Sequence, residues 1–165
     1  QSGNRAHGER LGHLISADRY RAASVLICLS PYLPMLFMGQ EWKAGTPFLF
    51  FSDLSGELGR NVRAGRLEEF KSSGLNSDPE SLATMPDPQD PSTFSASRLD
   101  WSELTVPAHA QILALYQESL RWRRNWLRGA ATDRAYWKVI ALREAVAIRY
   151  SSPGQPEWLL IVALK

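Results

Sequence analysis

The sequence is short of several things that would point to whole classes of function. It has a single cysteine, Cys28, in 165 residues, so an intrachain disulfide and a thiolate metal cluster are excluded. With no histidine near it, that thiol also offers no nucleophilic mechanism. No apolar stretch approaches the roughly 18 to 20 residues of a membrane helix, and the N-terminus lacks the basic-then-apolar order of a secretion signal. A cytoplasmic protein that meets no membrane is expected. Charge of one sign is lacking too, since 19 basic and 17 acidic residues leave a net +2. The longest basic grouping, Arg121, Arg123, Arg124 and Arg128, falls at a predicted helix end and suits the helix dipole. It does not call for nucleic acid. His7, His13 and His109 share no spacing that suggests a metal site or a catalytic triad. Finally, the chain opens on Gln1 rather than methionine and closes at Lys165 directly after the apolar run Trp158 to Leu164. Both ends read as cuts through a longer protein.

What is present is a globular composition, 44% apolar and 10% aromatic, enough for one ordinary domain or a piece of a larger one. Ser16 is a good helix cap, Asp18 suits the positive end of the dipole, and Ala22 to Leu29 is mostly apolar, which predicts a buried helix from about Ala17 to Leu29. Pro31 and Pro34 stop it. Met35-Leu36-Phe37-Met38, ending in Gly39, is then expected to be a buried parallel strand. Helix, short loop and buried strand make the second half of a β-α-β unit, and in such folds ligands bind beyond the carboxyl ends of the strands. The loop opening at Gly39-Gln40-Glu41-Trp42 therefore sits where chemistry belongs.

From Lys43 to about Trp101 the chain is irregular and rich in Pro, Gly, Ser and Asp, with a helix possible between Leu58 and Phe70. Its middle holds Pro79, Pro86, Pro88 and Pro91. The aromatics Phe48, Phe50, Phe51, Phe70, Phe94 and Trp101 favour an ordered excursion over a disordered one. Pro107 followed by Ile112, Leu115, Tyr116 and Leu120 predicts an amphipathic helix to about Asn125. After Gly129 the period changes. Tyr136 to Leu142, Ala145 to Tyr150 and Trp158 to Leu164 read as antiparallel strands, with a Ser151 to Pro156 turn between the last two.

Four motifs carry a resemblance: Gly3-Asn4-Arg5-Ala6 with Gly8-Glu9-Arg10-Leu11; Leu36-Phe37-Met38-Gly39-Gln40-Glu41-Trp42; Thr46-Pro47-Phe48 leading to Phe51-Ser52-Asp53; and Pro86-Asp87-Pro88-Gln89-Asp90-Pro91-Ser92-Thr93-Phe94. Together they resemble the trehalohydrolase branch of the alpha-amylase superfamily, glycoside hydrolase family 13, from Gln1 to about Trp126. The second motif alone is shared with glycogen branching and debranching enzymes, which are the alternative. The resemblance implies an α/β fold: residues 1–128 as the C-terminal end of a (β/α)8 TIM barrel, and 129–165 as the start of an antiparallel, β-sandwich-like domain. It implies a parent enzyme that cleaves the α-1,4 bond next to the terminal trehalose of maltooligosyltrehalose, by retaining hydrolysis and without a cofactor. It also implies that this piece lacks all three catalytic carboxylates. Two belong to earlier strands, and of the Asn-His-Asp-Gln motif that carries the third, Gln1 matches only the last residue. The missing N-terminal part of the same enzyme would be its partner. A non-catalytic structural or carbohydrate-binding module is the reading from another class.

On that resemblance Asn4 and Arg5 lie in a barrel-rim loop, where an amide and a guanidinium can hold sugar hydroxyls; alternatively Arg5 pairs with Glu9. Gln40, Glu41 and Trp42 close the eighth strand, and an aromatic beside hydrogen-bonding groups is what a sugar ring asks for; alternatively Glu41 pairs with an arginine and Trp42 packs under the long loop. These five are the expected substrate-binding residues. Phe48, Phe50 and Phe51 read as loop anchors before they read as an acceptor platform. Asp53, Asp87 and Asp90 resemble a calcium set, but the interleaved prolines favour a fixed turn.

Overall fold

The structure, a computed structural model, describes residues 4–73, 79–127 and 133–163. Helices α1 (Leu11–Leu14), α2 (Ala17–Leu29), α3 (Gly56–Ser73), α4 (Pro79–Ala83), α5 (Pro91–Ala96) and α6 (Pro107–Trp126) precede strands β1 (Trp137–Ala141), β2 (Ala145–Tyr150) and β3 (Trp158–Ala163). The chain forms two compact units: the stretch ending at Leu14 together with Ala44–Trp101, and Ile15–Lys43 together with the chain from Ser102 onward. The expected domain boundary at 128–132 lies outside the described residues.

The second unit follows the sequence closely. Helix α2 starts where Ser16 Oγ accepts a hydrogen bond from the Arg19 amide at 3.3 Å, and it ends where Ser30 N–H donates to the Leu26 carbonyl. Its face of Tyr20 and Cys28 packs on Ile112 and Tyr116 of α6, with Ile15, Leu29, Leu36 and Leu120 around them. Ile112, Tyr116 and Ser119 are the buried positions of α6, three and four apart as one stripe of a helix requires. A second cluster gathers Leu127, Ile148 and Tyr150 under Tyr136, Trp137 and Trp158. The strands form an antiparallel meander, β1-β2-β3, with Trp137 opposite Tyr150 and Tyr150 opposite Trp158. This is the predicted β module. Leu164, included in the last predicted strand, is not among the described residues.

The end of α2 holds this unit together. A helix leaves its last carbonyls without intrahelical donors. Here Arg123 Nη1 donates to Cys28 O at 3.1 Å and to Ser30 O at 2.6 Å, and the Tyr150 hydroxyl donates to Leu29 O at 2.6 Å. Three successive carbonyls are thus satisfied by α6 and β2.

Two expectations change. Met35 to Met38 is not a strand and is only partly buried: the segment carries no ladder, Leu36 and Phe37 are half-buried, and Met35 and Met38 are 91% and 48% exposed. A parallel strand exists only through bonds to its neighbours, and the described residues contain no strand to flank it. The long stretch after Lys43, expected to be largely irregular, carries α3, α4 and α5, so the helix expected between Leu58 and Phe70 is longer than predicted. Among the described residues no helix is long and apolar enough to cross a membrane.

In the first unit, backbone meets backbone at Gly8. Its φ is +64°, its carbonyl accepts from Phe48 N at 2.8 Å, and a Cβ there would sit 2.5 Å from the Phe48 carbonyl carbon. Only glycine fits. Arg10, 6% exposed, donates from Nε to Thr46 O at 2.5 Å. Arg66 stacks on both Phe50 and Phe70, at 4.5 and 4.9 Å, which attaches α3 to the loop.

Replacing Arg123 with methionine keeps the apolar stem and strips the donors from Cys28 O and Ser30 O. A loss of about 1.5–3 kcal/mol is expected, read from urea unfolding. Tyr150 gives a pH counterpart, because burial, only partly opposed by Arg123, pushes its pKa up to about 12. The fold favours the neutral phenol. Its contribution is therefore whole below the ordinary value near 10 and is lost as pH climbs from there through about 12. In an absorbance titration at alkaline pH, Tyr150→Phe should remove a tyrosine ionisation near pH 12.

Candidate functional site

The tight turn Gln40–Trp42 is built by two left-handed residues that bracket it, Gly39 at φ 80° and Lys43 at φ 60°. A left-handed non-glycine residue is strained and persists where its surroundings hold it. Those surroundings are specific. Gln40 Nε2 donates to the Tyr116 hydroxyl at 2.9 Å, and Gln40 Oε1 accepts from Phe37 N at 3.2 Å. The Tyr20 hydroxyl donates to Gln40 O at 2.6 Å. Trp42 Nε1 donates to Glu103 Oε2 at 3.1 Å, and its carbonyl meets His109 Nδ1 at 2.9 Å. Lys43 Nζ sits 5.8 Å from the centre of the Tyr20 ring.

This geometry sorts the three predicted residues of the turn. The Gln40 amide is committed at both ends to the protein's own groups. Trp42 is 2% exposed, so its ring faces protein and its indole N–H is already used. Glu41 differs: it is half-buried, and its Oε2 is shielded from solvent without a hydrogen-bond partner among the described residues. A buried acceptor left open costs about 1–3 kcal/mol. The alternative of a Glu41–arginine pair does not engage this oxygen. Of the three side chains, Glu41 is therefore the one that the turn's own hydrogen bonds leave uncommitted at one oxygen.

Asn4 and Arg5 belong to the other compact unit. Asn4 is exposed and Arg5 half-buried, just before the turn in which Gly8 N donates to Arg5 O at 3.3 Å. Glu9 Oε2 is buried with no partner among the described residues, so the anticipated Arg5–Glu9 pair does not occupy it. Of the calcium-like aspartates, Asp87 pairs with Arg63 at 2.9 Å and accepts from Gln89 N at 3.0 Å, and Asp90 caps α5 by accepting from Ser92 N at 2.8 Å. Those Ser92 bonds hold the Asp90 carboxyl below the ordinary range. Both are turn-fixing groups, as the interleaved prolines suggest.

Sequence reasoning did not pick out the residues that hold the turn, namely Tyr20, Glu103, His109 and Tyr116. One signal was available. Tyr20 and Tyr116 sit on the apolar faces of α2 and α6, where a phenol hydroxyl needs a partner inside the protein.

No protein-family model matches the chain. Curated proteins do. The chain is 47% identical over 126 residues to a malto-oligosyltrehalose trehalohydrolase of Brevibacterium helvolum, covering 76% of this chain and 20% of that protein. It is 46% identical over 168 residues to that of Arthrobacter ramosus, covering 95% and 28%. Among solved structures it is similar to a candidate alpha amylase from Salmonella typhimurium, with a TM-score of 0.83 and 34% identity, covering all of this chain and 27% of that one. The resemblance drawn from the four motifs is borne out. The chain spans between a fifth and a third of the length of these relatives.

The open Glu41 oxygen predicts an asymmetry between neighbours. Gln40→Leu should lower the urea midpoint, because it strands the Tyr116 hydroxyl and the Phe37 amide. Glu41→Gln should leave the unfolding free energy unchanged or raise it by up to about 1 kcal/mol, since the buried Oε2 makes no hydrogen bond among the described residues for the substitution to break.

Proposed function

We propose that this chain is the C-terminal part of a malto-oligosyltrehalose trehalohydrolase, contributing the end of the barrel and the first strands of the β domain. In this reading residues 1–128 complete the (β/α)8 barrel and 129–165 begin the next domain. The observation that carries the function is the Glu41 carboxyl group, unpartnered at Oε2 among the described residues, on a turn that five hydrogen bonds hold in place.

The substrate is a maltooligosaccharide ending in trehalose, cut at the α-1,4 bond next to the trehalose. Retaining hydrolysis places a nucleophile and an acid roughly 5 Å apart across that bond, and the preceding part of the enzyme supplies both. This chain's residues bind and orient. Glu41 accepts from sugar hydroxyls, a charge-assisted bond worth more than a neutral one. Gln40 and Trp42 keep it aimed, and Asn4 and Arg5 hold further hydroxyls on the barrel rim. No cofactor enters the scheme, and a cytoplasmic setting accords with the lone buried Cys28, whose thiol burial pushes above its ordinary value.

The test is trehalose release from maltooligosyltrehalose by the full reading frame and by this chain in parallel. Activity is expected from the full frame alone, with kcat/KM falling about tenfold in Glu41→Gln, the loss of about 1.4 kcal/mol of binding. A full frame that instead transfers or debranches glucan would assign the chain to the branching or debranching enzymes.

A further inference from the structure

The segments Phe51-Ser52-Asp53 and Pro88-Gln89-Asp90, far apart in sequence, are zipped together in the first unit. Ser52 N donates to Pro88 O at 2.8 Å. Gln89 Nε2 donates to Ser52 Oγ, and Gln89 Oε1 accepts from Leu54 N, both at 2.8 Å. Between them opens a cavity of about 480 Å³ whose lining includes Phe51, Ser52, Asp53, Gln89, Asp90 and Phe94. That volume falls within the range of about 300–1,000 Å³ usual for small-molecule pockets.

Its lining has the two chemistries a pyranose needs. Phe94 is 52% exposed although it is a large aromatic, and its ring is steadied by Phe51, edge-on at 5.2 Å and 71°, which in turn meets Phe48 at 5.8 Å. A fixed, half-exposed ring offers a flat surface to the C–H face of a sugar. Around it stand acceptors and a donor. The Asp53 carboxyl is exposed, Asp90 is held by Ser92, and Ser52 Oγ, already accepting from Gln89, keeps its proton to give. Among the described residues no basic side chain lines the cavity, which disfavours phosphorylated ligands, and the carboxyl groups disfavour lipid.

We propose that this cavity is a glucosyl subsite for α-1,4-linked glucan, with Phe94 as the stacking platform and Asp53 and Ser52 as hydroxyl partners. It rests on the trehalohydrolase reading for the choice of sugar, but not on Glu41 or the rim residues. It also divides the phenylalanines: Phe50 is an anchor for Arg66, whereas Phe51 with Phe94 frames a ligand surface.

The experiment is an amide-resolved NMR titration of this 165-residue chain with maltotriose, with cellotriose and tetramethylammonium as comparison probes. Shifts confined to residues 51–54 and 88–94, produced by maltotriose and not by the others, are expected. Phe94→Ala should weaken binding about tenfold and Asp53→Asn a few-fold, while Phe94→Tyr retains it; thermal melting of each variant checks that the fold is intact. Absence of shifts at these amides, or equal maltotriose affinity in folded Phe94→Ala, would overturn the proposal, as would a response to tetramethylammonium alone. Trehalose release by the full frame combined with a silent cavity would sink the subsite and leave the enzyme assignment standing.

Discussion

The second unit depends on how one helix ends. A helix that stops inside a protein must find donors for its final carbonyls or bear the cost of burying them bare. Helix α2 stops at Leu29, and its exposed acceptors at Cys28, Leu29 and Ser30 are met by Arg123 and Tyr150. A guanidinium suits this, since one nitrogen with two protons reaches two carbonyls and stays charged at any working pH. The consequence is positional. The same bonds set α2 against α6 and against β2, and the Gln40 turn hangs from those two helices through Tyr20 and Tyr116. A candidate site residue is thus placed by a clamp on the opposite end of the same helix.

Local signals in the sequence were sufficient for the elements whose causes are local. Ser16, Asp18 and the apolar run after them located α2 at both ends, and Pro107 with the Ile112-Tyr116 stripe located α6. The three strands carried their own alternation and turn residues. Met35 to Met38 failed for the complementary reason: an apolar run states that a strand would be buried, but the ladder that makes it a strand belongs to other segments. The length of α3 was hidden by Gly56, Gly59 and Gly65, weak helix formers that α3 nevertheless includes.

The candidate site was legible in outline and not in its division of labour. Motif and position singled out Gln40, Glu41 and Trp42 together. Which of them faces inward depends on partners such as Tyr116, 76 residues away, and Glu103, 61 residues away, and no spacing rule reaches that far. The Pro-Asp-Pro-Gln-Asp-Pro stretch behaves similarly. Its prolines announced a fixed turn, but that Gln89 would fasten it to Ser52 and Leu54, opening a cavity beside Phe94, follows only from the fold.

The bracketed turn at Gly39 and Lys43 also separates tolerance of substitution from tolerance of length. Its backbone is fixed from the inside by Gln40, Trp42 and the helices behind them, so the identity of the side chain at position 41 is nearly uncoupled from foldability. Such a position is cheap to vary. A substitution there leaves the architecture standing, whereas inserting or deleting even one residue between the two left-handed positions would break the turn itself.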